Sequence, residues 1–362
     1  MPAQVDLFNA NGAQGDLANY VVQNKLSDPS KMKPFIGDDG RTYITVYSGN
    51  GDRFDMKNYR DIPLNTNATL RRDEWKQLDQ AVLGVAKQRL GGVQDLIERN
   101  LTYNLGNAMG TTVLEHHRSK TDMTPQVDMD GLTRGPNARP EYDHKYLPIP
   151  IVHVDYEINL RELEASRKLG NPISTDDAEE AAFEVNKKLE QMLFTDMTYN
   201  FGGGTINSYV NFSDRITGSL SASWDDSSTT MNVIKNDVKQ MKQESIDSYH
   251  YGPWVMYIPT AYETLMDDDY DVSGASIKTL RQRILEFGGI EDVKVSDFLG
   301  NDNVLLVEMA SRNVRLVRGM GMQNVQWDEQ GGFVSKYKVM TIQVPQLRSD
   351  KNGRCGIVHY SV

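Results

Sequence analysis

The chain of 362 residues holds a single cysteine, Cys355. An intramolecular disulfide is therefore impossible, and stability has to come from packing or assembly. No run of about 18 apolar residues occurs, so no helical membrane span is expected. The opening MPAQVDLFNANGAQGD has no basic stretch followed by an apolar core, so no secretory signal is expected. Basic residues are also short: 39 Lys and Arg stand against 50 Asp and Glu, a net charge of −11. Tight nucleic-acid binding needs clustered cations to neutralise phosphates, and this balance argues against it. It does not argue against a container that encloses nucleic acid without affinity for it.

Motifs that carry chemistry are equally scarce. Neither H-E-x-x-H nor G-x-S-x-G occurs. Gly202, Gly203 and Gly204 follow a helical stretch, and no helix opens after Gly319 and Gly321, so both groups read as turns rather than phosphate loops. Asp267, Asp269 and Asp271 begin with calcium-loop spacing, but Val272 and Lys278 occupy the glycine and bidentate-glutamate positions. Cys355 sits near a terminal strand and reads as a buried structural thiol. His116 and His117 are adjacent, so their side chains diverge and read as surface residues. The remaining metal candidate is His153, Asp155 and Glu157, three ligand types on one face of a strand at i, i+2 and i+4. The competing reading of that face is ordinary solvent exposure. No catalytic residue, cofactor or metal is expected, and a metal-dependent enzyme built on that triad is the rival reading.

The richest stretch is 147–204. From Ile151 to Ile158, Val152, Val154, Tyr156 and Ile158 alternate with His153, Asp155 and Glu157, the period-2 mark of a half-buried strand. Leu160 to Leu169 changes to helical spacing, and Gly170-Asn171-Pro172 stops it. A long helix is expected over 174–200. Asp176, Asp177, Glu179 and Glu180 complement its N-terminal dipole, and Ala178, Ala182, Val185, Leu189, Met192 and Met197 form its apolar stripe.

Around it, RTYITVY at 41–47 reads as a strand, and 71–90 as a helix ended by Gly91-Gly92, with Trp75, Leu78, Val82, Val85 and Leu90 at helical spacing. A second short helix is expected within 93–106. Residues 107–150 are polar and too long for a loop inside a compact domain, which suggests a two-stranded arm or a disordered segment. An amphipathic helix is expected over 228–246. An α/β unit follows over 251–335: a strand at WVMYI, a helix opened by Pro259, another from Ile277, and strands at 290–295, 303–309 and 313–318. FVSKYKVMTIQV at 333–344 and GIVHYSV at 356–362 read as the last strands.

The order of these elements over 71–362 resembles the tailed-phage major capsid proteins and encapsulins, which share the Hong Kong 97 fold. The resemblance rests on the LPIPIV strand, the Gly-x-Pro hinge, the acidic-capped helix and the acidic-acidic-Trp start at Asp73-Glu74-Trp75. It implies an α+β chain in six parts: an N-terminal arm (1–70), N-terminal helices (71–106), an extended E-loop (107–150), a peripheral domain (151–250) with its spine helix at 174–200, an axial domain (251–332), and C-terminal strands of the peripheral domain (333–362). It also implies function: a major capsid protein that self-assembles through pentamers and hexamers into the icosahedral head of a tailed bacteriophage, enclosing double-stranded DNA without specific binding. Scaffold, portal and decoration proteins would be its partners, and the virion its location, with assembly in the host cytoplasm. An encapsulin nanocompartment enclosing a cargo enzyme is the alternative, and the long N-terminal arm favours the phage shell. Arg118, Lys120, Arg134, Arg139 and Lys145 of the loop are the residues expected at subunit contacts.

Overall fold

The structure, a computed structural model, describes residues 33, 35–47, 59–64, 70–85, 90–106, 108–120, 127–130, 141–169, 175–270, 278–328, 334–350 and 352–362. In chain order it contains β1 (Phe35–Ile36), β2 (Thr42–Tyr47), β3 (Tyr59–Leu64), the helices Arg72–Val85 and Gly91–Glu98, β4 (Thr102–Asn104), β5 (Val113–Lys120), β6 (Glu141–Pro148) and β7 (Val152–Asn159). The helices Leu160–Leu169 and Asp176–Phe194 follow, then β8 (Tyr199–Phe201), β9 (Gly204–Ile206), β10 (Ile216–Ser219), the helix Met231–Asp247, β11 (Trp254–Pro259), β12 (Asp269–Tyr270) and β13 (Lys278–Thr279). The chain closes with the helix Leu280–Leu285, β14 (Ile290–Ser296), β15 (Asn303–Glu308), β16 (Val314–Asp328), β17 (Val334–Leu347) and β18 (Ile357–Ser361). The described residues fall into two compact units. One is drawn from Met1–Gln88, Ile151–Lys187 and Met320–Ile342, the other from Arg89–Pro150, Lys188–Gly319 and Gln343–Val362.

In the first unit, β7 pairs antiparallel with β17, and its burial alternates as the sequence predicts. Tyr156 lies opposite Tyr337 in the register, and their rings stack 5.1 Å apart. Trp75 meets Tyr337 edge-on at 5.9 Å, which carries the helix Arg72–Val85 onto this strand pair. Trp75, Leu78 and Val82 are buried as the helical spacing requires.

In the second unit, a five-stranded sheet runs in the order β10-β18-β15-β11-β14. All six residues of β11 are buried, and five of the six in β15, because both faces of the sheet are covered. Strand periodicity sorts the two sides. Trp254, Met256, Ile258 and Leu306 pack with Ile234, Val238 and Met241 of the helix Met231–Asp247. Val255, Tyr257, Leu305 and Val307 pack with Leu96, Leu193, Phe194 and Tyr209. At the edge of this core Glu308 is fully buried but saturated with donors. It accepts from the backbone N–H groups of Tyr251 (3.1 Å) and Gly252 (3.2 Å), from Arg312 Nη2 (2.7 Å) and from Asn313 Nδ2, and pairs with His250 Nδ1 (2.7 Å). Burial opposes its ionisation, but the hydrogen bonds and charges of His250 and Arg312 win and hold it below the ordinary carboxylate value.

Several expectations need correction. The spine helix spans Asp176–Phe194 rather than 174–200, about 28 Å at 1.5 Å per residue. It is the longest helix among the described residues, and Val185, Leu189 and Met192 are buried. Just past its end, the N–H and Oγ1 of Thr195 both donate to the Gln191 carbonyl (3.0 and 2.6 Å), and Tyr199–Phe201 pairs in a hairpin closed by Gly202 and Gly203, both at positive φ. Gly91 and Gly92 open a helix rather than merely ending one. The buried Glu190 carboxylate accepts from the N–H groups of Gly92 (3.2 Å) and Val93 (2.9 Å), which satisfies two orphan donors of that helix start. A Cβ at Gly92 would lie 2.4 Å from the Phe194 ring, so only glycine permits this approach. Thr102–Asn104 is strand rather than helix and pairs parallel with β16. The helix expected after Pro259 is two 3-10 turns, Thr260–Tyr262 and Thr264–Asp267, and the strand expected to end at Arg318 runs on to Asp328.

The grouping of elements also differs. The resemblance places the C-terminal strand, with the 333–344 strand, in the peripheral domain. Instead β18 lies between β10 and β15. The helix Met231–Asp247 likewise packs on the β11 sheet. Residues 1–32 of the expected arm, the hinge at 170–172 and position 271 lie outside the described residues.

Candidate assembly surface

The polar stretch 107–150 contains an antiparallel hairpin, β5 with β6, as one of its two sequence readings required. Eight paired residues on each strand extend about 27 Å at 3.4 Å per residue. The pleat sorts its side chains into two faces. Glu115, His117, Tyr142, His144 and Tyr146 share one face; His116, Arg118, Asp143 and Lys145 share the other.

Arg118 anchors the second face. Its guanidinium donates to Asp143 directly across the ladder (2.9 Å), to Asp214 (2.7 Å) and to Ser349 (2.9 Å). The hydrogen bond from Arg118 is the main reason Asp143 is held below the ordinary carboxylate value. Arg118 is thus a tie between the hairpin and the loops at 214 and 349 of its own chain, with its side chain 18% exposed. Lys145 is exposed, with Nζ 3.6 Å from Asp143. Lys120 ends β5; Arg134 and Arg139 lie outside the described residues.

Beside this face lies a cleft of about 430 Å³, bordered by His116, Arg118, Lys145, Asp214 and Arg348. Burial, followed by the charges of Arg348, Arg315 and Arg118, pushes His116 down to about 4, so its ring is neutral near pH 7. The β8–β9 hairpin supports β6. A Cβ at Gly204 would lie 2.2 Å from the Tyr146 carbonyl oxygen, so the close approach of the two ribbons needs glycine there.

Large apolar side chains stand in solvent along and beyond this ribbon. Val127 and Met129, in the stretch connecting β5 to β6, are fully exposed (99% and 104%), and Tyr142 is 62% exposed. Tyr199 and Phe201 of β8 are exposed as well. Exposed apolar residues scattered singly are ordinary, and it is contiguous patches that mark contact surfaces.

The triad His153, Asp155 and Glu157 does lie on the outer face of β7. His153 Nδ1 is 3.4 Å from Asp155 Oδ1, which is also 3.4 Å from Lys338 Nζ, and Glu157 stands opposite Lys336. Cations from β17 complement this row, which is the pattern of a solvated strand face. Cys355 is buried, and burial pushes its thiol up to about 12, as suits a structural residue. No helix among the described residues is long and apolar enough to cross a membrane.

The fold is shared with known shells. The virus-like particle of Pyrococcus furiosus superposes with a TM-score of 0.56 at 17% identity, over 79% of this chain and 98% of that one. The capsid of Myoviridae phage XM1 gives 0.57 at 11% identity, over 75% and 92%. The capsid of a native GTA particle gives 0.52 at 11%, over 72% and 86%. The expected Hong Kong 97-type α+β fold is therefore the fold of this chain. By sequence, residues 65–360 match the Family of unknown function (DUF6260), and the chain belongs to that family.

Proposed function

We propose that this chain is the major capsid protein of a tailed double-stranded DNA phage, assembling through pentamers and hexamers into an icosahedral head. The observation that carries the reading is the β5–β6 ribbon: tied to its own chain by Arg118, it leaves Val127, Met129 and Tyr142 exposed. In this reading the ribbon is the E-loop, and its apolar side chains cover a neighbouring copy. Heterologous contacts that close about an axis generate rings. Several modest contacts per subunit, each near or below the ~1,000 Å² of a stable pair interface, sum to a stable shell. Arg134, Arg139 and Lys145 are the charged residues proposed at those contacts. The net charge of −11 suits a wall that encloses DNA without gripping it. Scaffold, portal and decoration proteins belong to this reading as partners, the virion as location, and the host cytoplasm as the place of assembly. Its role is structural, with no catalytic step.

An encapsulin-type compartment is the second reading, favoured by the 98% coverage of the Pyrococcus furiosus particle chain. One experiment addresses both. Particles purified from cells are imaged by electron microscopy and their contents assayed. Closed icosahedral shells containing nuclease-protected DNA support the phage head, and shells around a protein cargo support the compartment. Monomers or dimers under all conditions, a scaffold partner included, refute both.

A further inference from the structure

We propose that the β5–β6 hairpin carries a divalent transition-metal site formed by His117, His144 and Glu115, which clips its two strands together. His117 and His144 are directly opposite in the ladder, with ring centroids 4.5 Å apart. Glu115 lies two residues before His117 on the same face, and its Oε1 already contacts His144 Nδ1. One ligand atom from each residue lies within 4.8 Å of the others. Zinc bonded to nitrogen at about 2.0–2.1 Å and to oxygen at about 2.0–2.2 Å places neighbouring ligand atoms about 3.3 Å apart. The group therefore needs to contract by at most about 1.5 Å, within reach of exposed side chains adjusting their rotamers. Two imidazoles and one carboxylate suit zinc or another first-row divalent ion, and three protein ligands leave a position for water.

The pleat also removes the competition. The side chains of Arg118 and Lys145 belong to the opposite face. Among the described side chains, the ligand face otherwise holds Val113, Tyr142, Tyr146 and Pro148. Among the described residues, no lysine or arginine of these strands shares the ligand face, unlike the His153 row, where lysines of β17 complement the carboxylates. This proposal is independent of the shell reading: it concerns the hairpin of a single chain.

The test is zinc titration of the metal-stripped full chain by calorimetry, with bound metal counted after dialysis. One zinc per chain is expected. His117→Ala and His144→Ala should each weaken binding by about tenfold or more, at least the loss that follows removal of a mere outer partner. His153→Ala should leave it unchanged. Should a histidine variant fail to fold, as judged by circular dichroism, Glu115→Gln keeps the shape and carries the test, again with weaker binding expected. Absence of stoichiometric binding overturns the proposal. So does binding that survives in His117→Ala and His144→Ala, or binding lost in His153→Ala.

Discussion

The five-stranded sheet and the β5–β6 hairpin belong to one compact unit of one chain, and opposite conditions stabilise them. The sheet hides β11 and most of β15 on both faces, and its buried carboxylate Glu308 has every neighbouring donor turned onto it. The hairpin is a two-stranded ribbon with apolar side chains in water, tied to the rest of its own chain by Arg118 and by the close approach of β6 to Gly204. An isolated two-stranded ribbon is marginal in water. The difference separates what stabilises the subunit from what stabilises the assembly. Changes in the sheet should act on folding, and changes at the exposed end of the ribbon on association.

The largest expected effect lies in the sheet. Glu308→Ala strands His250, Arg312, Asn313 and two backbone N–H groups, and breaking a buried pair in this way costs about 3–5 kcal/mol. Urea denaturation should show the loss, and a near-normal midpoint would break the comparison from the sheet side.

Glu190 gives a pH-dependent test of similar kind. Burial raises its carboxyl from 4.5 to about 7, against the opposing hydrogen bonds from Val93 and Gly92. Between those values the unfolded chain releases a proton that the folded chain keeps. This group's contribution to stability is therefore full below 4.5, falls as pH rises towards 7, and is flat above. Glu190→Gln retains an acceptor and removes the titration. Its urea midpoint should match wild type near about pH 4 and exceed it above about pH 7, by up to about 3 kcal/mol. A pH-independent difference would contradict the assigned shift.

A smaller loss is expected from Gly92→Ala. Its Cβ would lie 2.4 Å from Phe194, and overpacking of this kind costs about 1–3 kcal/mol. A thermal melt reads the change directly, and an unchanged melting temperature would mean that Phe194 yields freely.

Much of this architecture was legible from local pattern. The alternation from Val152 to Ile158, the stripe Ile234, Val238 and Met241, and the acidic first turn of the spine depend only on near neighbours in sequence. The errors lie where distant residues decide. GIVHYSV fits any buried strand, and only its pairing with Asn303–Glu308 and Ile216–Ser219 fixes the sheet to which it belongs. Gly91-Gly92 looks like a helix stop until Glu190, far along the chain, supplies the cap. The candidate assembly surface was legible as a segment but not residue by residue. The charge of Arg118 is visible in the sequence, while Asp143, Asp214 and Ser349, which engage it, come from three different places. His116 and His117 diverge as adjacent strand residues must, but only His117 is exposed while His116 is half-buried, and the register that sets His144 against His117 is not visible in their own neighbourhood.

The smallest effect on folding, and the largest on association, is expected at the exposed end of the ribbon. Replacing Val127, Met129 and Tyr142 together by serine should leave the urea midpoint of the subunit within about 0.5 kcal/mol of wild type, as for surface changes generally. Sedimentation velocity of wild type beside this triple variant tests the central claim most directly. The account predicts that wild type sediments as closed particles and the variant as folded, unassembled subunits. Particles of equal yield from both would contradict it, as would wild type that sediments only as a monomer even with a scaffold partner present.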